Sequence, residues 1–228
     1  MANATIGTIA TKTELLNLRE SAASDYNGTF AEVTTKAKRA NGFLMSGSAT
    51  KTVAASGVQT DVSIVLKRTV AKIAVQTSLS ADFASRYPGA VKITSAVLSK
   101  AASQSPYIAG TAAPGTMNFS HTQTPGEASS KYNNLYYIFE NGALGAGSRV
   151  TVTLTGLYDK DGNFSTTTDQ IPVTYTVELT GTSAGSILRN GYYRVAVSVA
   201  GLTGQDVNAI ITVADWETPA TQNINLGQ

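Results

Sequence analysis

The side chains whose type and spacing could do chemistry are a single histidine, His121, and four carboxylates, Glu140, Asp159, Asp161 and Asp169. His121 lies between Ser120 and Thr122. An imidazole can act as a general base or a metal ligand, but this one has no second imidazole to share a metal and no evident group to orient it. In a stretch rich in Gly and Pro it reads as an exposed loop residue. Asp159-Lys160-Asp161-Gly162-Asn163 sets oxygens at alternate positions, as in a calcium loop, yet the bidentate glutamate of such a loop is absent where it is required. Alternating segments flank it, so a hairpin turn accounts for it, and weak calcium binding at a β-loop stays open beside that reading. Glu140, Asp159, Asp161 and Asp169 could pair for glycoside hydrolysis, which needs two carboxylates about 5 to 10 Å apart. Their spacing selects no pair. Gly142, Gly145 and Gly147 are followed by neither Lys-Ser/Thr nor a helix, so they are turn glycines and not a phosphate loop. The reading is of a protein that is not an enzyme and holds no metal or cofactor.

Composition agrees. The 228 residues are 42% hydrophobic and 14% charged, against a usual ~25% charged, and Thr, Ser, Ala, Val and Gly dominate. That is the make-up of an extracellular β protein with a hydroxyl-rich outer face. The 17 basic and 15 acidic residues are scattered, which leaves no electrostatic footprint for nucleic acid. The densest basic cluster, Lys36, Lys38 and Arg39, is a solvated, accessible loop. Cysteine is absent, which excludes disulfides, thiol catalysis and cysteine-ligated metals. No window approaches the ~20 apolar residues of a membrane helix, and Ala2-Asn3-Ala4-Thr5 is not a signal peptide.

The elements that must position these residues are mostly strands. Thr11-Lys12-Thr13-Glu14 spells a capping box ahead of Leu15, Leu16 and Leu18 and predicts a short helix from about Thr13 to Ala22. From Val58 onward the period changes to two. Val150–Leu154, Val173–Leu179 and Arg194–Val199 alternate apolar with polar residues, and Ile210–Val213 is a β-branched run. Val62–Leu66, Val70–Thr77 and Val91–Leu98 are earlier candidates. Asp161-Gly162 and Asn190-Gly191 mark tight turns, so the pattern predicts antiparallel hairpins. Ala109–Ser130, with Gly110, Pro114, Gly115, Pro125 and Gly126, reads as a loop and places a domain boundary near Met117. The expected fold is all-β: two antiparallel β-sandwich domains, residues 1–117 and 118–228, with a short helix near the N-terminus.

Three segments resemble, in order and spacing, the fimbrillins (type V pilins) of the Bacteroidales. They are Gly42-Phe43-Leu44-Met45-Ser46-Gly47 followed by Leu66-Lys67-Arg68-Thr69-Val70-Ala71-Lys72-Ile73; Tyr136-Tyr137-Ile138-Phe139-Glu140-Asn141; and Leu188-Arg189-Asn190-Gly191-Tyr192-Tyr193, continuing to Val213-Ala214-Asp215-Trp216. The resemblance covers most of the chain from Gly42. It implies transthyretin-like sandwich domains and export to the outer membrane as a lipoprotein precursor. It also implies processing by a trypsin-like protease and assembly into an extracellular, cell-surface fimbrium by donor-strand exchange with other pilin subunits, including accessory tip and anchor pilins.

On this resemblance Trp216 ends the last regular strand and residues 218–228 form the donor tail. There Ala220, Gln222, Ile224 and Leu226 share one face, with Ile224 and Leu226 filling the groove. Pro219 favours a break before the tail; an ordinary edge strand folding back on its own domain is the other reading. The opening residues resemble the interior of the family's first domain. Its upstream strands, lipobox cysteine and processing site are therefore expected to be absent, whether by truncation, internal cleavage or choice of start codon. An acceptor groove would then draw on Ile64, Leu66, Ile73 and Val75. The alternative function is a secreted adhesin or glycan-binding module with a host receptor or glycan as partner, which calls for a clustered exposed aromatic site; the only dense aromatics are Tyr132, Tyr136 and Tyr137, and strand alternation would bury some of them.

Overall fold

A computed structural model describes residues 6–21, 28–29, 42–52, 55, 60–109, 119–123, 132–180, 185–202, 207–215 and 222–226. The capping box forms as read. The Thr11 hydroxyl accepts from the Glu14 N–H (3.2 Å), and the Glu14 carboxylate accepts from the Thr11 N–H (3.2 Å). The helix it starts, α1 (Lys12–Asn17), is shorter than expected. It buries no residue, so packing does not extend it, and the chain turns at Leu18 into strand β1 (Arg19–Ser21), paired with β7 (Gln104–Pro106).

The all-β expectation holds. The remaining strands are β2 (Gly28–Thr29), β3 (Met45–Ser46), β4 (Lys67–Arg68), β5 (Val70–Leu79), β6 (Ala90–Ala101), β8 (Phe119–Gln123), β9 (Tyr132–Phe139), β10 (Thr151–Asp159), β11 (Gln170–Glu178), β12 (Gly191–Val199), β13 (Val207–Asp215) and β14 (Gln222–Leu226). A one-turn helix, α2 (Phe83–Arg86), joins β5 to β6. One sheet has the order β14-β13-β12-β5-β9-β2 and a second β11-β10-β6-β8. Their facing sides make one core, with Ile73 and Val75 of β5, Tyr136 and Ile138 of β9, and Tyr193, Val195 and Val197 of β12 against Ile93 and Leu98 of β6, Leu154 of β10 and Tyr175 of β11. The alternation read from the sequence is the cause: every second residue of these strands is apolar and faces inward. Core tyrosine hydroxyls find partners, Tyr136 donating to the Ala96 carbonyl (3.1 Å) and Tyr175 to the Gly201 carbonyl (3.0 Å). Gly156 sits at a bulge in the β10–β6 ladder, where a Cβ would run into the Lys92 carbonyl.

Several expectations need correction. The boundary near Met117 does not separate two sandwiches, because β5 pairs with β9 and β12, and β6 with β8 and β10. Two long strands and their neighbours before Met117 cannot cover their own apolar faces, and the later strands complete both sheets. Nor is every pair antiparallel. β12 runs parallel to β5, from Tyr192 beside Lys72 to Val199 beside Leu79, since the chain crosses between the sheets after β11 and returns along the free side of β5. Asn190-Gly191 is not a hairpin tip: it is a turn leading into β12, closed by Gly191 N–H to the Leu188 carbonyl (3.1 Å). Asp161-Gly162 lies in the longer β10–β11 connection. Val62–Leu66 forms no strand and is exposed, whereas the expected loop Ala109–Ser130 contains β8, on which His121 pairs with Leu98.

Candidate functional site

β5 and β12 both start, and β9 ends, at one end of the sandwich, where the motif segments meet around Arg189. This residue lies two positions before β12 and is 8% exposed. Its Nε donates to Glu140 Oε2 (2.8 Å) and Nη2 to Glu140 Oε1, a two-pronged ion pair. Nη1 donates to Ser46 Oγ (3.1 Å) and the Tyr107 carbonyl (3.3 Å), and Nη2 also to the Pro106 carbonyl (2.9 Å). Those contacts use all five N–H groups of the guanidinium. Next to it, Asn190 takes φ 60°, a conformation Asn tolerates better than most residues. Its side-chain carbonyl accepts from the Arg68 guanidinium (2.9 Å), and its N–H donates to the Val70 carbonyl (2.9 Å).

The same end holds two further ties. Thr69 donates its N–H to the Leu44 carbonyl (3.0 Å) and its hydroxyl to Glu20 Oε2 (2.5 Å). Asn141 clasps Ile187, accepting from its N–H (2.6 Å) and donating to its carbonyl (3.0 Å). Both Glu140 oxygens are committed to Arg189, so the node is built to hold chain segments together and not to move protons. On the outer face of the sheet nearby, Phe43 packs on Tyr137 with ring centroids 4.5 Å apart. Burial pushes the Tyr137 phenol up to about 12, although the nearby Arg68 charge works the other way.

The opposite end carries the carboxylates. Ligand oxygens of Asp159, Asp161 and Asp169 lie within 4.8 Å of one another, and among the described residues this is the cluster that could hold a divalent cation. The Asp159 and Asp161 oxygens already have partners in the loop, whereas Asp169 Oδ1 is buried without a hydrogen-bond partner among the described residues. Asp159, fully buried, accepts from Asn163 N–H (3.0 Å) and Gln170 Nε2 (3.1 Å), and Asp161 accepts from the same Asn163 N–H (2.7 Å). Burial alone would raise the Asp159 carboxyl, but hydrogen bonds from Asp161, Gln170 and the loop amides hold it below its ordinary value. The Asn163 N–H pulls Asp161 down, yet sharing with Asp159, together with the charges of Asp169 and Asp159, raises it. These interactions are those of a polar turn, as read from the sequence. Glu140 is at the other end, so it forms no carboxylate pair with any of the three.

The expected acceptor groove is not one surface. Ile73 and Val75 are in the core on β5, which is hydrogen-bonded on both sides, by β9 and β12. Ile64 and Leu66 lie in the exposed run, with Ile64 51% exposed. No groove can include both pairs, because a strand cannot be added to a β5 whose two edges are filled. In the donor tail, Gln222, Ile224 and Leu226 belong to β14, which lies antiparallel on β13 with Ile224 beside Ile211 and Leu226 beside Ala209. Trp216, Ala220, Lys36, Lys38 and Arg39 lie outside the described residues. Tyr136 and Tyr137 are buried, so they form no exposed aromatic platform.

Solved structures of the same architecture have a name attached. One is the tip fimbrial protein Mfa3 from Porphyromonas gingivalis, with C-terminal truncation (TM-score 0.54, 14% identity, covering 90% of this chain and 72% of that one). The chain shares the fold of a fimbrial tip protein. A structure described as a cell adhesion protein from Bacteroides eggerthii superposes with TM-score 0.56 at 19% identity, over 92% of this chain and 72% of that one. A counterpart from Parabacteroides distasonis is matched over 70% of this chain and spans 55% of its own length there (TM-score 0.48, 18% identity). The present chain thus spans roughly half to three-quarters of the length of these structures. No family model and no curated protein matches it.

The sequence pattern does not bring the Arg189 node together, because its residues belong to separate motifs; the signal it carries is that Arg68-Thr69, Glu140-Asn141 and Arg189-Asn190 are polar pairs beside apolar or aromatic runs, and such pairs need partners once buried.

Proposed function

We propose that this chain is a structural subunit of a surface fimbria that supports adhesion, assembling with other pilin subunits by donor-strand exchange after cleavage by a trypsin-like protease. Anchor and tip pilins would be further partners, and the precursor would be exported to the outer membrane. The fold shared with a fimbrial tip protein supports this reading, and so does the fold shared with a structure described as a cell adhesion protein. The observation that carries it is the position of β14. The tail is the outermost strand of the six-stranded sheet, five residues long and paired with β13. A short terminal edge strand is the element a β-sandwich can give up with its two-sheet core intact. An extended segment that leaves one edge can complete another. In the neighbouring subunit the receiving surface would be the exposed run Val62–Leu66, which has backbone and apolar side chains to offer; Ile73 and Val75, enclosed in the core, would take no part.

The test compares the full chain with a version ending at Trp216 by size-exclusion chromatography and negative-stain microscopy. Oligomers or filaments that require the tail, and that an excess of a peptide of residues 218–228 suppresses, are the expected result. Identical monomers with and without the tail would remove the mechanism and leave the secreted adhesin as the better account.

A further inference from the structure

The outer face of the six-stranded sheet is covered near β5 and β9, where Phe43 and Ala102 pack with Val70, Ala74, Leu135, Tyr137 and Phe139. The covering chain is thin. Its regular structure among the described residues is β1 paired with β7 over three residues and β3 with β4 over two, beside a helix that buries nothing. The run Val62–Leu66 next to it is exposed. Segments with so few buried apolar contacts open locally well before the molecule unfolds.

Polar attachment must therefore keep this cover in place, and that attachment converges on Arg189. Glu140, just beyond β9, grips the guanidinium from the sandwich side with both oxygens. The other N–H groups reach out to the cover: Ser46 of β3, and the carbonyls of Pro106 and Tyr107 at the end of β7. A single buried side chain thus bridges the two-sheet core and two separate segments of the cover. Secondary ties run from Thr69 to Leu44 and Glu20.

We infer that Leu18–Ser21, Phe43–Ser46 and Gln104–Tyr107 form a strap that opens as one unit while both sheets stay folded, and that Arg189 is its latch. Opening bares Tyr137 and Phe139 on the outer face and leaves Tyr136 and Ile138 in the core. The inference is independent of β14 and of fimbrial assembly.

Hydrogen exchange read peptide by peptide on the full chain tests it, using Arg189→Met, Arg189→Lys and Ser46→Ala. Lysine keeps a positive charge beside Glu140 but cannot reach all the acceptors with one ammonium. In the native chain strap peptides should exchange well ahead of β10 and β12 peptides, and for Arg189→Lys the expected result is about tenfold or faster exchange in the strap, with β10 and β12 peptides still the slowest. Tyr137 should then ionise at lower pH, because its cover is loosened. Ser46→Ala should give the same pattern, weaker. Strap peptides that exchange no earlier than β10 and β12 peptides in the native chain, or unchanged strap exchange in both Arg189→Lys and Ser46→Ala, would overturn the inference. If Arg189→Met does not fold, the other two variants decide.

Discussion

The two ends of the sandwich solve the problem of polar groups beside an apolar core in opposite ways. At the Arg189 end a buried cation meets a carboxylate and three further acceptors drawn from distant parts of the chain: Ser46, Pro106 and Tyr107 lie on the N-terminal side of β9, and Glu140 follows it. At the Asp159 end three carboxylates lie together, and the donors to Asp159 and Asp161 come from Asn163 and Gln170, two to eleven residues away. Long-range partners make the first end a structural joint. Short-range partners make the second a self-contained turn. The lesson is that charge inside a fold becomes structural through the sequence distance of its partners.

The comparison breaks most directly at Glu140. Glu140→Gln leaves the guanidinium without its counter-charge, and breaking a buried ion pair on one side costs about 3 kcal/mol, less here for the partial exposure of Glu140. Urea unfolding should show a loss of about 2 to 3 kcal/mol. A loss below about 0.5 kcal/mol would place this pair with ordinary surface salt bridges and remove the contrast between the ends.

A smaller effect is expected at Asn190, beside Arg189. Asn190→Ala forces a Cβ-bearing residue without a compensating side chain into φ 60° and removes the acceptor for Arg68, at about 1 to 2 kcal/mol. Asn190→Gly keeps the backbone and loses the acceptor, so it should cost less. Equal losses in thermal melts would show that the Arg68 contact, not the backbone, dominates.

Alkaline titration sharpens the same end. Burial holds the phenols of Tyr136, Tyr137 and Tyr193 above their ordinary value, Tyr137 at about 12. Folding therefore favours their protonated forms. The stability they carry is complete below about pH 10 and is lost as pH rises toward 12. Absorbance should show exposed tyrosines ionising first and the buried set ionising together with unfolding. A single smooth titration near pH 10 would contradict this burial.

The smallest effect is at the carboxylate end, and its sign is opposite. Asp161 is raised in the folded state, so its contribution falls as pH rises through and above the ordinary carboxylate range. Asp159 is lowered, so its contribution is lost as pH falls below that range. Asp161→Asn keeps an oxygen for the Asn163 N–H and removes the repulsion. The melting temperature at pH 7 should rise slightly, with the gain shrinking below about pH 4. A fall at pH 7 would mean that the Asp161 charge is needed, and would turn attention to a cation in that loop.

Much of this protein was legible because it depends on local periodicity. Alternation in Val150–Leu154, Val173–Leu179 and Arg194–Val199 placed β10, β11 and β12 and their inward residues, since a pleated strand sorts its side chains with period two whatever lies beside it. The capping box placed the start of α1 for the same reason, as its partners are three residues apart. Strand neighbours and partners across the fold are another matter. That β5 lies between β9 and parallel β12, that strands before and after Met117 share one core, that Val62–Leu66 has no strand to join, and that Arg189 finds Glu140 and Ser46 were all decided by tertiary structure. Hydrophobic burial sets those pairings through the whole set of faces that must be covered at once. A one-dimensional pattern records which face of a strand is apolar, and leaves open which other strand will cover it.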